Sequence, residues 1–250
     1  MPKSAVLSAV PPVLRLDGVT LVRGEHTVFD GLSLSLHERR IGIIGDNGAG
    51  KSSLFRLICG LDQPQAGQVQ IGTLAPDAPA AARAAAVGMM FQNPDEQIIF
   101  PTVAEELALG LGPRGFSRKQ ALVQARALLA ARGLGHWAER AISGLSHGQR
   151  QHVCWLALLI AAPSLVLLDE PFASLDLPGQ ALLAQDIAQA SQAVLVATHI
   201  LAPLRDFDRV IWLERGRVRA DGPPQEVCAA YEADVALRLA AQVLQREAHG

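Results

Sequence analysis

Two stretches of the chain combine residue types that do phosphate chemistry. Gly45-Asp46-Asn47-Gly48-Ala49-Gly50-Lys51-Ser52 fits the pattern GxxxxGK[ST]. It follows the compact apolar run Arg40-Ile41-Gly42-Ile43-Ile44 and precedes helix-like text from Ser53 to Ile58 that stops at Gly60. Glycines let the backbone fold tightly enough for successive N–H groups to converge on phosphate oxygens, and the helix start adds about half a positive charge. Lys51 is then expected to reach the β and γ phosphates of a nucleotide and Ser52 to ligate Mg²⁺, with Ser53 completing the ATP-binding set. The pattern identifies a nucleotide phosphate but not a task, since kinases, GTPases and motors share it.

The second stretch, Leu165-Val166-Leu167-Leu168-Asp169-Glu170, is an apolar strand ending in two carboxylates, where a nucleotide-hydrolysing site needs a metal ligand and a base. Successive strand residues point in opposite directions. Asp169 is therefore expected on the metal side and Glu170 towards a water beside the γ phosphate. Without the phosphate loop, an Asp-Glu pair at a strand end reads first as a helix cap or a solvated turn.

These residues need a scaffold, and the rest of the chain supplies one. From Val13 to Leu36 the text alternates, with Leu32, Leu34 and Leu36 on one face and Gly24 and Asp30-Gly31 as turns, which predicts an antiparallel layer. Val87 to Phe91 is a further buried strand. Val103 to Leu109, Arg118 to Ala131 and Gln149 to Ala161 then read as helices. Leu165 to Leu168 and Ala193 to Ala197 are short apolar strands separated by a helical stretch from Gln180 to Ala190, as in parallel βαβ architecture. Strands at Val210 to Leu213 and Arg217 to Ala220 and two closing helices, Pro223 to Ala230 and Asp234 to Glu247, complete the expectation.

Composition narrows the class. Half of the 250 residues are apolar, enough for a sizeable core, and 22 Lys and Arg against 24 Asp and Glu leave a formal charge of only −2. No global field draws such a protein to nucleic acid or anionic lipid. Cys59, Cys154 and Cys228 lie far apart among apolar neighbours, which favours buried reduced thiols over a disulfide frame or zinc site. Ala5 to Leu14 is mildly apolar but too short for an export signal and broken by Pro11-Pro12. The longest apolar run, Val153 to Leu168, is split by Pro163-Ser164 and falls short of a membrane span, so a membrane role calls for spanning helices from another chain.

Leu145-Ser146-His147-Gly148-Gln149-Arg150-Gln151 resembles the signature motif of the ABC ATPases, usually written LSGGQ, and it stands before a helix and upstream of the Asp169 strand as in that family. Gln92 resembles the family's Q-loop glutamine, Ser174-Leu175-Asp176 its D-loop, and His199 its switch histidine. With the phosphate loop and the carboxylate strand in the family's order, the chain is identified as a member of the ABC transporter ATP-binding subunits. The resemblance implies an α/β P-loop NTPase fold: a RecA-like parallel sheet, an antiparallel β subdomain and an inserted helical subdomain. It implies one ATP-binding domain over residues 1–250, with roughly 1–92 and 162–250 as core and 93–161 helical.

The activity implied is ATP hydrolysis coupled to transport, with Glu170, His199 and Gln92 catalytic and Ser52, Asp169 and Gln92 around Mg²⁺. Two protomers, identical or paralogous, would sandwich ATP head to tail, so that Ser146, His147, Gly148 and Gln149 serve the partner's nucleotide, with Asp176 in the D-loop. Two residues depart from the family pattern. His147 replaces a signature glycine, and the aromatic that stacks on adenine is missing near Val22-Arg23-Gly24, leaving Arg23 to stack its guanidinium or Val22 to give apolar contact.

The run from Phe91 to Leu107, containing Gln97-Ile98-Ile99-Phe100-Pro101-Thr102-Val103, is similar to the Q-loop region of energy-coupling-factor ATPases, which drive uptake of vitamins and of cobalt or nickel. That resemblance implies a peripheral protein on the cytoplasmic face of the membrane. Its partners would be a transmembrane coupling subunit, docking near Ile98, Ile99 and Phe100, and a small membrane substrate-binding subunit. The wording Ile98 to Val103 is closest to biotin importers, with cobalt second. A soluble ABC ATPase acting on DNA or ribosomes is the rival class. It is disfavoured by the single phosphate loop, the lack of a long coiled-coil insertion and the neutral charge balance.

Overall fold

A computed structural model describes residues 13–247, so most of the segment from Ala5 to Leu14 lies outside it. Strands β1 (Leu14–Arg23) and β2 (His26–Leu36) form the expected antiparallel pair, and β4 (Ala66–Ile71), which the sequence pattern did not reveal, adds to the other edge of β1. Leu14, Leu16, Leu32, Leu34 and Leu36 are buried on one face, as alternation requires. Asp30-Gly31 does not turn the chain. It lies within β2, where Gly31 takes φ 68° and the register with β1 slips between Val19–Leu32 and Leu21–Phe29, so the pair forms a bulge.

The second sheet has the order β5-β6-β7-β3-β8-β9. Its strands β3 (Arg40–Ile44), β5 (Val87–Met90), β6 (Leu165–Asp169), β7 (Ala193–Ala197) and β8 (Arg209–Glu214) are parallel, and β9 (Arg217–Gly222) closes one edge antiparallel. Helix α1 (Lys51–Cys59) packs with the antiparallel sheet on one face. Along β6, Leu165 and Leu167 belong to that core, whereas Val166 and Leu168 belong to the core beneath the remaining helices. Burial on both faces explains why these strands read as unbroken apolar runs.

The helical text folds as α3 (Val103–Leu109), α4 (Arg118–Ala131) and α5 (His147–Ala161), with Trp155 fully buried on α5. Ser117 with Gln120 and Ser146 with Gln149 form complete capping boxes, which is why α5 begins at His147 rather than Gln149. Likewise α6 (Leu177–Gln189) starts before Gln180, because Asp176 caps it and Pro178 suits a first turn. Helix α2 (Ala80–Ala86) buries none of its residues and so left no periodic trace in the sequence. The two closing helices are one, α7 (Pro224–Glu247), since Tyr231-Glu232-Ala233 contains no helix breaker. Cys154 is buried, whereas Cys59 and Cys228 are only half-buried; all three are free thiols, and burial pushes Cys154 up to about 12.

Candidate nucleotide site

The phosphate loop leaves the end of β3 in the middle of the parallel sheet, where the carboxyl ends of strands gather ligands. Two glycines show how tightly it is held. At Gly45, with φ 145°, a Cβ would stand 2.1 Å from the Leu213 carbonyl oxygen; at Gly50, with φ 108°, it would stand 2.9 Å from the Phe29 ring. The loop is thus pressed between the end of β8 and the antiparallel sheet, and Gly216 N donates to Ala49 O at 3.0 Å. No side chain caps α1, which leaves its first N–H groups facing the loop for an anion. Lys51 is 7% exposed and its Nζ donates to Gly45 O at 2.7 Å and Asp46 O at 3.3 Å, 3.9 Å from Glu170 Oε1.

A concavity of about 300 Å³ collects Asp46, Asn47, Gly48, Ala49, Gly50, Lys51, Ser52 and Ser53 with Arg23, Val28, Gln92, Asp169 and Glu170. Gly45 sits behind it. Val28, from β2, carried no chemical signal in the sequence and enters only through the fold. Burial pushes the pKa of Asp169 upward, and the neighbouring Ser52 hydroxyl acts against that rise. A desolvated carboxylate offset by one hydroxyl, with the Gln92 amide on the same wall, is an oxygen donor set that suits a hard divalent cation.

Glu170 diverges from Asp169 for a different reason than strand alternation. β6 ends at Asp169, and Glu170 takes φ 49°, with its N–H donating to Ala197 O at 2.8 Å. This left-handed turn sends its carboxylate to the end of β7. Two residues past the end of β7, His199 comes beside that carboxylate, outside the set of residues that line the concavity. His199 Nδ1 is 2.9 Å from Glu170 Oε2, which also accepts the His199 backbone N–H at 3.2 Å.

Arg23 lines the concavity, but its guanidinium is engaged by Asp62, which also accepts Arg56 at 2.9 Å. Stacking on a base has to compete with that pairing. The signature lies elsewhere. Ser146, Gly148 and Gln149 line a second concavity of about 410 Å³ together with Leu175 and Asp176, and it shares no lining residue with the first. There Ser146 Oγ accepts Gln149 N at 3.2 Å and Ser146 N donates to Gln149 Oε1 at 3.0 Å. His147 Nε2 is buried with no hydrogen-bond partner among the described residues, and Asp176 accepts Gly179 N at 2.9 Å. One residue pair escaped the sequence pattern altogether. Tyr231 and Arg238, far along α7, bond the carboxylate of Asp46, and the Arg238 guanidinium holds that carboxyl below its ordinary value.

Comparison with known proteins identifies the family and the fold. The family model described as ABC transporter matches residues 29–173. A biotin transport ATP-binding protein, BioM, of Rhodobacter capsulatus is 49% identical over 213 residues, covering 85% of this chain and 91% of that protein. The protein of the same name from Rhizobium etli is 36% identical over 216 residues, covering 83% and 92%. Among solved structures, cbiO1 from Clostridium perfringens, part of the ABC transporter complex cbiONQ, shares the fold with a TM-score of 0.77 at 24% identity, covering 92% of this chain and 95% of that one. A dimeric ATP-binding cassette solved in a post-hydrolysis state with ADP and Pi gives 0.71 at 26% identity over 84% and 98%. With the phosphate loop, the paired carboxylates and the signature all set on this scaffold, the chain belongs to the ABC transporter family, as a P-loop ATPase whose hydrolysis is coupled to transport.

Proposed function

We propose that this chain is the ATP-hydrolysing subunit of an energy-coupling-factor type importer, working peripherally on the cytoplasmic face of the cell membrane to drive uptake of biotin. The observation that carries this reading is the 49% identity, over most of both chains, to a protein named for biotin transport. A second reading, a cobalt or nickel importer, draws on the shared fold with cbiO1. Glu170 acts as general base on a water, His199 orients it, and Ser52, Asp169 and Gln92 hold Mg²⁺, which neutralises phosphate charge when bound. Ser146, His147, Gly148 and Gln149 serve a second protomer's ATP, with Asp176 at the interface. The chain works as one domain whose helical part, about residues 93–161, faces the membrane partner. Ile99, 72% exposed, is a suitable contact for the coupling subunit.

The test is to tag the chain, solubilise its native membranes in mild detergent and identify what copurifies. A transmembrane coupling subunit with a small membrane protein carrying biotin is the expected result. A pair of large permeases, or soluble partners alone, would overturn the energy-coupling reading, and a metal in place of biotin would favour the second one.

A further inference from the structure

The phosphate loop carries one acidic residue, Asp46, and it lines the concavity meant for a polyanion. An unscreened carboxylate there repels phosphates. In this fold both of its oxygens are occupied from α7. Arg238 Nη1 lies 2.5 Å from Oδ2 and Nη2 lies 3.2 Å from Oδ1, while Tyr231 donates its hydroxyl to Oδ1 at 2.9 Å. The contact lies at the surface, with each side chain close to half exposed, but it is braced by its neighbours. Asp234, one turn before Arg238, aligns the guanidinium at 2.8 Å and also accepts Arg219 at 3.0 Å. Arg219 sits 4.8 Å over the Trp212 ring, against which Tyr231 packs edge-on at 5.3 Å. Trp212 belongs to β8, the strand whose end abuts Gly45, so cation, hydroxyl and loop share one support.

We infer that α7 is part of the nucleotide site: Tyr231 and Arg238 fix and neutralise Asp46, so that a phosphate loop bearing its own carboxylate accepts a nucleoside triphosphate. They are positioning residues, acting through Asp46 rather than on the phosphates. The inference rests on the first concavity being the ATP site, and it predicts a signature that plain docking of α7 does not.

MgATP affinity is measured on the full chain by displacement of a fluorescent ATP analogue, at low and at high salt. Arg238→Ala weakens binding about fivefold at low salt, and the deficit narrows at high salt as screening takes over the role of the guanidinium. Tyr231→Phe shows a smaller deficit of the same kind. Adding Asp46→Asn to Arg238→Ala restores affinity to within about twofold of the parent, because the exposed negative charge is gone. A misfolded variant cannot be rescued in this way. The inference is overturned if Arg238→Ala binds like the parent, or if the double variant stays as weak as the single one. If the parent chain itself fails to bind MgATP, the reading of the concavity fails first, and the result is visible before any variant is compared.

Discussion

A carboxylate that takes a proton from an attacking water must be held firmly yet keep an oxygen free. His199 holds Oε2 of Glu170, while Oε1 stays on the Lys51 side of the pocket. Glu170→Gln keeps this shape and removes the basicity, so turnover measured by phosphate release is expected to fall by about 10²–10⁴-fold while ATP binding persists. Unchanged turnover would refute the assignment. His199→Ala removes the imidazole and leaves Oε2 only the backbone N–H of that residue, a looser hold. A loss of roughly 10- to 100-fold in turnover is expected, with MgATP affinity nearly kept, because displacing a reacting group by about 1 Å has that cost. Much of this was readable residue by residue, since Gly, Lys, Ser and Asp in a fixed series each answer one requirement of a phosphate. The left-handed turn at Glu170 was not, because nothing about a glutamate announces a positive φ. The Asp62 partner of Arg23 was equally hidden, being 39 residues away.

At the scale of elements, the signature doubles as a helix start. Ser146 Oγ accepts the Gln149 N–H, so Ser146→Ala is expected to lower stability by about 1 kcal/mol in urea unfolding, the usual value of an N-cap, besides removing a group proposed to serve a second protomer's nucleotide. A stability unchanged within error would mean that α5 is held by its buried face alone. Legibility in the elements followed burial. Strands covered on both faces, such as β6 and β7, and helices with an apolar stripe stood out in the sequence, whereas β4 and α2 did not. The text of β4, Ala66-Gly67-Gln68-Val69-Gln70-Ile71, buries only Val69 and Ile71, and α2 buries nothing. Their places are set by neighbours: β4 by the free edge of β1, α2 by the approach to β5. Asp30-Gly31 misled for a related reason, because a bulge and a turn ask for the same residues.

For the whole molecule, the two concavities define what one copy cannot do. Phosphate loop and signature line separate concavities, and the proposed function brings them together by pairing two chains. The Glu170→Gln variant with MgATP is expected to elute from a sizing column at about twice the monomer mass, and Ser146→Arg in the same background to return it to monomer, by placing bulk and charge where the second nucleotide packs. A monomer under both conditions would show that the membrane partner is required for pairing. No helix among the described residues is long and apolar enough to cross a membrane.

The bond from Tyr231 to Asp46 spans 185 residues, and that from Arg238 spans 192. On a ribosome adding about 5–20 residues per second, the phosphate loop is therefore made roughly 10–40 s before the helix that neutralises it. Its strand β3 has to wait as well, because both of its neighbours, β7 and β8, lie far later in the chain, so the loop, its sheet and the helix that holds Asp46 come together late. Under the proposed role of Tyr231 and Arg238, full affinity for a triphosphate is a mark of a chain whose synthesis has passed α7.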